Sequence, residues 1–130
     1  MTSIEYWIQH ADFSAEDYRP VGVTAAIAAF HDHDWAAALE KRALLEAPET
    51  DWCPPGFGLV DGKRILHICP DDELTAMVHY QWPKRRRFLG LFAWEAITHV
   101  TKDQFPLAHV DELIQRFYTE DHDWILPQLR

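Results

Sequence analysis

The chain has little cysteine, few basic residues and no long apolar run, and each shortage excludes something. Cys53 and Cys69, the two cysteines of 130 residues, lie outside any C-x-x-C pair, so reduced thiols are expected and no disulfide framework is implied. With 12 basic residues against 21 acidic ones the net charge is -9, which leaves no basic footprint for direct binding of nucleic acid. No stretch is apolar for long enough to span a bilayer, and no basic start leads into an apolar leader; a cytoplasmic protein without membrane contact is the expectation. Also missing are a G-x-S-x-G elbow, H-E-x-x-H, a glycine-rich phosphate loop and P-C-x-x-C, so a non-enzymatic protein without a cofactor is expected.

What is present is a dense run of strand and turn signals over residues 56–94. A two-residue Asp61-Gly62 link between FGLV and KRILHI predicts a hairpin pairing Val60 with Lys63 and Leu59 with Arg64. Paired residues share a face, so Phe57, Leu59, Arg64, Leu66 and Ile68 form one side, the expected core side, and Gly58, Val60, Lys63, Ile65 and His67 the other. After a break at Pro70-Asp71-Asp72, the residues Leu74, Ala76, Val78, Tyr80 and Trp82 alternate with Thr75, Met77, His79 and Gln81, the period of a half-buried strand. Pro83 and the basic run 84–87 read as a solvated turn, and 88–94 as a returning strand covered on both sides.

Elsewhere the signals are shorter. Residues 3–10 alternate as a strand, and 12–22 read as a loop with at most one helical turn at SAEDY. Thr24 offers an N-cap for a helix over 24–33 and Asp34 one for a helix over 35–46, with the intervening HDHD either breaking one helix or separating two; Pro48 ends the second. Residues 95–101 fit no pattern, 106–119 carry one apolar helical stripe, and the tail 120–130 is expected to pack on the body. These elements predict a single α+β domain: a four- to five-stranded, mostly antiparallel sheet, its central meander over about 57–94, with two or three helices (24–33, 35–46, 106–119) on one face.

Charge is the main pointer to function. Residues 1–61 hold eleven acids against Arg19, Lys41 and Arg42, so Glu16, Asp17, Asp32, Asp34, Glu40 and Glu46 are expected to steer a basic partner protein, with nearby aromatics supplying short-range contact. The sheet face bearing His67, Met77, His79 and Gln81 is of mixed polarity and suits a partner surface as well. An inhibitor or immunity-type protein that neutralises a basic toxin or nuclease is the expectation. Two rivals stand beside it. Asp32-His33-Asp34-Trp35 recurs as Asp121-His122-Asp123-Trp124, which reads first as a repeated capping and anchoring device. The sharper reading is a small metal-dependent or His/Asp-based hydrolase, with His31, His33, Asp34, His122 and Asp123 as ligands or acid/base groups. The second rival is a self-associating subunit, a homodimer built through a sheet face or an unpaired edge.

Overall fold

The computed structural model describes residues 4–20, 22–47 and 50–130. Strands β1 (Glu5–Gln9), β2 (Ala15–Tyr18), β3 (Gly56–Asp61), β4 (Arg64–Pro70), β5 (Thr75–Phe88) and β6 (Phe92–Pro106) form one antiparallel sheet in the order β2-β1-β3-β4-β5-β6. Helices α1 (Val23–Asp32), α2 (Trp35–Glu46), α3 (Val110–Tyr118) and α4 (His122–Gln128) complete an α+β domain. Among the described residues there are thus six strands, not four or five, and four helices, not two or three.

The core side is the one the alternation predicts. Phe57, Leu59, Leu66, Ile68, Ala76, Val78 and Tyr80 are buried there beneath Ala26 and Phe30 of α1, Leu113, Ile114 and Phe117 of α3, and Ile125 of α4. Arg64 shares that side at the sheet's end, its guanidinium 4.3 Å above the Phe117 ring and donating to the Phe117 carbonyl at 3.1 Å. Leu74 does not join the core; it sits in the turn before β5 begins and is exposed. The β3–β4 register also differs from expectation. Asp61 pairs with Arg64, so Gly62 and Lys63 are the central turn residues, and Gly62 takes the positive φ of 60° that the first central position of such a turn requires. The turn moves one residue along the chain, so β3 gains a residue, β4 loses one and each partner shifts by two, which leaves the parity of the faces unchanged.

Three segments depart further. Residues 15–18, expected in a loop, form the edge strand β2, because Phe13 (φ 70°) and the Asp12 carboxylate, which accepts from the Ser14 backbone at 3.0 Å, close a tight turn after β1. Tyr18 then stacks on Tyr6 with ring centroids 4.4 Å apart. The basic run 84–87 is strand, not turn, and Pro83 lies within β5. It is tolerated because β4 partners β5 only as far as Gln81, so beyond that point one side of β5 is free and a missing N–H breaks no ladder there. The turn comes later, at Leu89 (φ 51°) and Gly90 (φ 71°), and 92–106 return as a single long strand that absorbs the unassigned residues 95–101. Phe88 and Phe92, expected under cover, are exposed.

The helices settle the question left open by HDHD: there are two, separated at His33. Thr24 is not the cap of α1, which starts at Val23 after Gly22 with no side-chain cap, whereas Asp34 caps α2, accepting from the Ala37 backbone at 3.0 Å. The helix expected from 106 begins later, since Pro106 closes β6 and a single 3-10 turn precedes α3. The tail does pack on the body: α4 buries Ile125, and Leu129 beyond it is buried too. Ser3 and Pro48, read as a strand start and a helix stop, lie outside the described residues. Among the described residues no helix is long and apolar enough to cross a membrane.

Candidate functional site

Two surfaces collect chemistry-bearing side chains. The first is the sheet face opposite the helices. Cross-strand pairing puts His67 of β4 directly against His79 of β5 and Cys69 against Met77, so the register brings together the residues expected to share that face. His79 Nδ1 lies 3.0 Å from the Thr101 hydroxyl of β6, and its ring is 5.3 Å from that of His99. Gly56 and Gly58 of β3 make room for what crosses them. A Cβ on Gly58 would stand 2.1 Å from the Trp7 indole, and one on Gly56 would meet His67 at 2.6 Å and Cys69 at 2.7 Å. One end of the face is roofed by Phe13, Cys53 and Pro54, leaving a hollow of about 440 Å³ over His67, Cys69, Met77 and His79. Gln81 is outside it, paired with His99 and Ile65.

The electrostatics of this hollow run against nucleophilic chemistry. Burial, with the neighbouring His79 adding to it, pushes the His67 imidazole down to about 4, and burial pushes the Cys69 thiol up to about 12. The Cys69 sulfur lies 3.7 Å from His67 Nε2, yet both groups are held neutral, the opposite of an activated thiolate–imidazolium pair. Cys53 is also free, its thiol donating to the His10 carbonyl at 3.2 Å.

The second surface is a groove of about 1010 Å³ between α1, α2 and the β4–β5 turn. Helix α2 has no buried residue. It presents Ala36 and Ala43 toward the turn, and such short side chains leave the space between helix and sheet unfilled. Phe30, Trp35, Leu39, Leu74 and Leu107 give the groove apolar walls, while Glu40 on one rim and Asp71, Asp72 and Glu73 on the other make it acidic. His31, on the wall, lies 2.6 Å from Asp111 of α3. The three acids of the turn are not equivalent. Asp72 accepts from the Leu74 and Thr75 backbone at 2.7 and 2.8 Å, which lowers its pKa and shapes the turn. Asp71 is instead raised, first by desolvation and then, against the opposing Arg42, by Asp72 and Asp103 nearby.

Of the acids expected to steer a partner, Glu40 alone lines this groove. Glu16 contacts His10 at 3.0 Å and Asp17 sits on the edge strand beside Trp7. Asp32 is exposed at the end of α1, Asp34 is a cap, and Glu46 pairs with Arg42 at 3.5 Å. Asp71 and Asp72 read in the sequence only as part of a strand break and Glu73 carries no reading there, although three consecutive acids between two apolar strands are themselves a charge signal.

The residues of the metal reading are dispersed. His31 goes to Asp111, and His33 meets Trp35 edge to face at 4.4 Å between centroids. His122 Nδ1 lies 2.9 Å from the Tyr80 hydroxyl, and Asp123 is exposed in the first turn of α4. The two DHDW copies cap in different registers: the second aspartate of the first copy, Asp34, and the first aspartate of the second copy, Asp121, which accepts from the Trp124 backbone at 3.3 Å. Among the described residues no group of three or more His, Cys, Asp or Glu side chains is placed to hold a metal ion. Comparison with protein-family models, with curated proteins and with solved structures finds no match.

Proposed function

We propose that this is a non-enzymatic binding protein whose groove between α2 and the β4–β5 turn receives a cationic, aromatic-bearing segment of a basic partner protein. The observation that supports the reading is the coincidence of apolar walls with four carboxylates on the rims. Apolar walls take a large side chain out of water, and rim carboxylates favour arginine or lysine beside it while slowing acidic competitors. The overall charge of -9 acts in the same sense at long range by speeding encounter. An inhibitor or immunity-type protein that neutralises a basic toxin or nuclease is the biological role this chemistry fits.

Calorimetric titration with a short peptide of alternating arginine and tryptophan tests the groove. Binding should weaken by on the order of tenfold in an Asp71→Asn/Glu73→Gln variant and fall with added salt. Equal binding of a glutamate/tryptophan peptide sinks the reading. For the biological role, a pull-down from the native host that recovers no stoichiometric basic protein counts against an inhibitor.

A further inference from the structure

Among the described residues no third strand flanks the β5–β6 ribbon beyond Gln81. Pairing continues from Trp82 opposite Thr98 to Phe88 opposite Phe92, so the last part of the hairpin projects from the sheet as an arm. A two-stranded ribbon standing alone in water is marginal, and this one carries a large apolar load: Leu89 is 80% exposed, Leu91 78%, Phe92 63% and Phe88 57%. Beside them stand Lys84, Arg85, Arg86 and Arg87. Within the arm only Glu95 opposes these charges, and it is already taken by Lys63 at 2.6 Å. The rest of the chain is therefore more negative than the overall -9.

We infer that two copies of this chain pair through their β6 edges, each laying its basic, aromatic arm against the acidic groove of the other. The proposal rests on the reading of the groove as a site for a cationic, aromatic segment, and it puts the arm of a second, overall acidic copy there in place of a separate basic protein. Charge and apolar character are complementary: the arm offers arginines with phenylalanines, the groove carboxylates with apolar walls.

Topology then selects the arrangement. β5 is 14 residues long, so at about 3.3 Å per residue the arm's tip lies roughly 40 Å from the turn that opens β5, and an arm does not reach its own groove. Antiparallel pairing of two β6 strands about a two-fold axis exchanges those ends. It sets each tip beside the partner's Pro106 and Leu107, where Leu107 binds the Leu74 carbonyl at 2.9 Å and the groove begins. Such an axis stands perpendicular to the sheet and keeps both helix layers on one side. Lys84, Arg86 and Phe88, whose positions alternate in step with buried Tyr80, then face that side, toward the partner's groove. The opposite edge, β2, is short and carries Glu16 and Asp17, a usual guard against pairing; β6 has a bulge at its far end, with Gln104 at φ 57°, and 92–101 before it are regular.

Light scattering on the eluting protein at two concentrations tests this, using wild type, an arm reversal (Lys84→Glu/Arg86→Glu) and a groove reversal (Asp71→Lys/Glu73→Lys). The expected result is a wild-type dimer, each reversal weakening dimerisation by on the order of 100-fold, and dimers restored when the two are mixed, because both contacts in that heterodimer again join opposite charges. A wild-type monomer at both concentrations, reversals that stay dimeric, or a mixture that stays monomeric would overturn the proposal. Wild-type monomer that sediments with phosphatidylserine vesicles through Phe88 and Phe92 would also overturn it, in favour of a membrane. The arm-reversed monomer, titrated with the arginine/tryptophan peptide, separates the two claims: binding there beside a monomeric wild type leaves the groove reading standing and the dimer refuted.

Discussion

Acidification should cost this fold about 2 kcal/mol through His67 alone between about pH 7 and about pH 5. His67 crosses the sheet opposite His79, under the cover of Trp7 at 5.4 Å between rings, and burial holds its pKa down at about 4 against an ordinary 6.5. The native state thus binds a proton less readily than the unfolded chain. Its stability is fully present above the ordinary value and is lost as pH falls from there toward about 4. At about pH 5 the unfolded imidazole is almost fully protonated and the native one only about a tenth so, and integrating the difference from pH 7 yields the figure above. His79 and His33, also lowered first by desolvation, push the same way, so the discriminating quantity is a difference between proteins. Urea denaturation of wild type and of His67→Gln should be followed across that pH range. The wild-type stability is expected to fall by about 2 kcal/mol more than that of the variant, whatever offset the substitution itself introduces. Two parallel curves would refute the reasoning, since they would mean that His67 is as readily protonated folded as unfolded.

Gly58→Ala should destabilise by about 1–3 kcal/mol, read as a lower denaturation midpoint, because the new Cβ meets the Trp7 indole at 2.1 Å; an unchanged midpoint would show that the indole moves freely. Tyr80→Phe removes a buried hydroxyl partner 2.9 Å from His122 Nδ1 and should cost about 0.5–1.5 kcal/mol, with faster amide exchange concentrated in α4. Asp34→Ala and Asp121→Ala should each cost about 1 kcal/mol in urea denaturation, while Asp32→Ala and Asp123→Ala stay within about 0.5 kcal/mol. Equal effects at all four positions would contradict the capping registers observed.

Much of the sheet was legible because side-chain parity survives small errors of register. The Asp61-Gly62 signal puts the turn between β3 and β4 one residue early, yet Leu59 and Leu66 still fall on the buried side. The α2 cap at Asp34 was legible as well, since a cap is a contact between residues three apart. β2 was not: four residues, two of them acidic, carry no apolar alternation, and the strand exists because β1 offers it a ladder and Tyr6 a stacking partner. The arm is hidden in the sequence for a similar reason. A proline followed by four basic residues resembles a turn locally, and only the end of β4 at Gln81 shows why a strand continues there.

The groove divides in the same way. Its acids at 71–73 are visible in the sequence, but Glu40, thirty residues earlier, and Leu107, more than thirty later, join them only through the fold. By itself the sequence determined which side chains of β3, β4 and the first half of β5 point inward, that α2 starts after a cap at Asp34, and that the chain is acidic, because periodicity, capping and charge are local or additive. Tertiary structure alone decided that the acids meet apolar walls in a groove, that His67 and His79, set on one face by the alternation, stand directly opposite each other, and that β5 and β6 run on past the end of β4 as a basic aromatic arm. Each of these depends on where separate elements end in space, which no spacing within one element encodes.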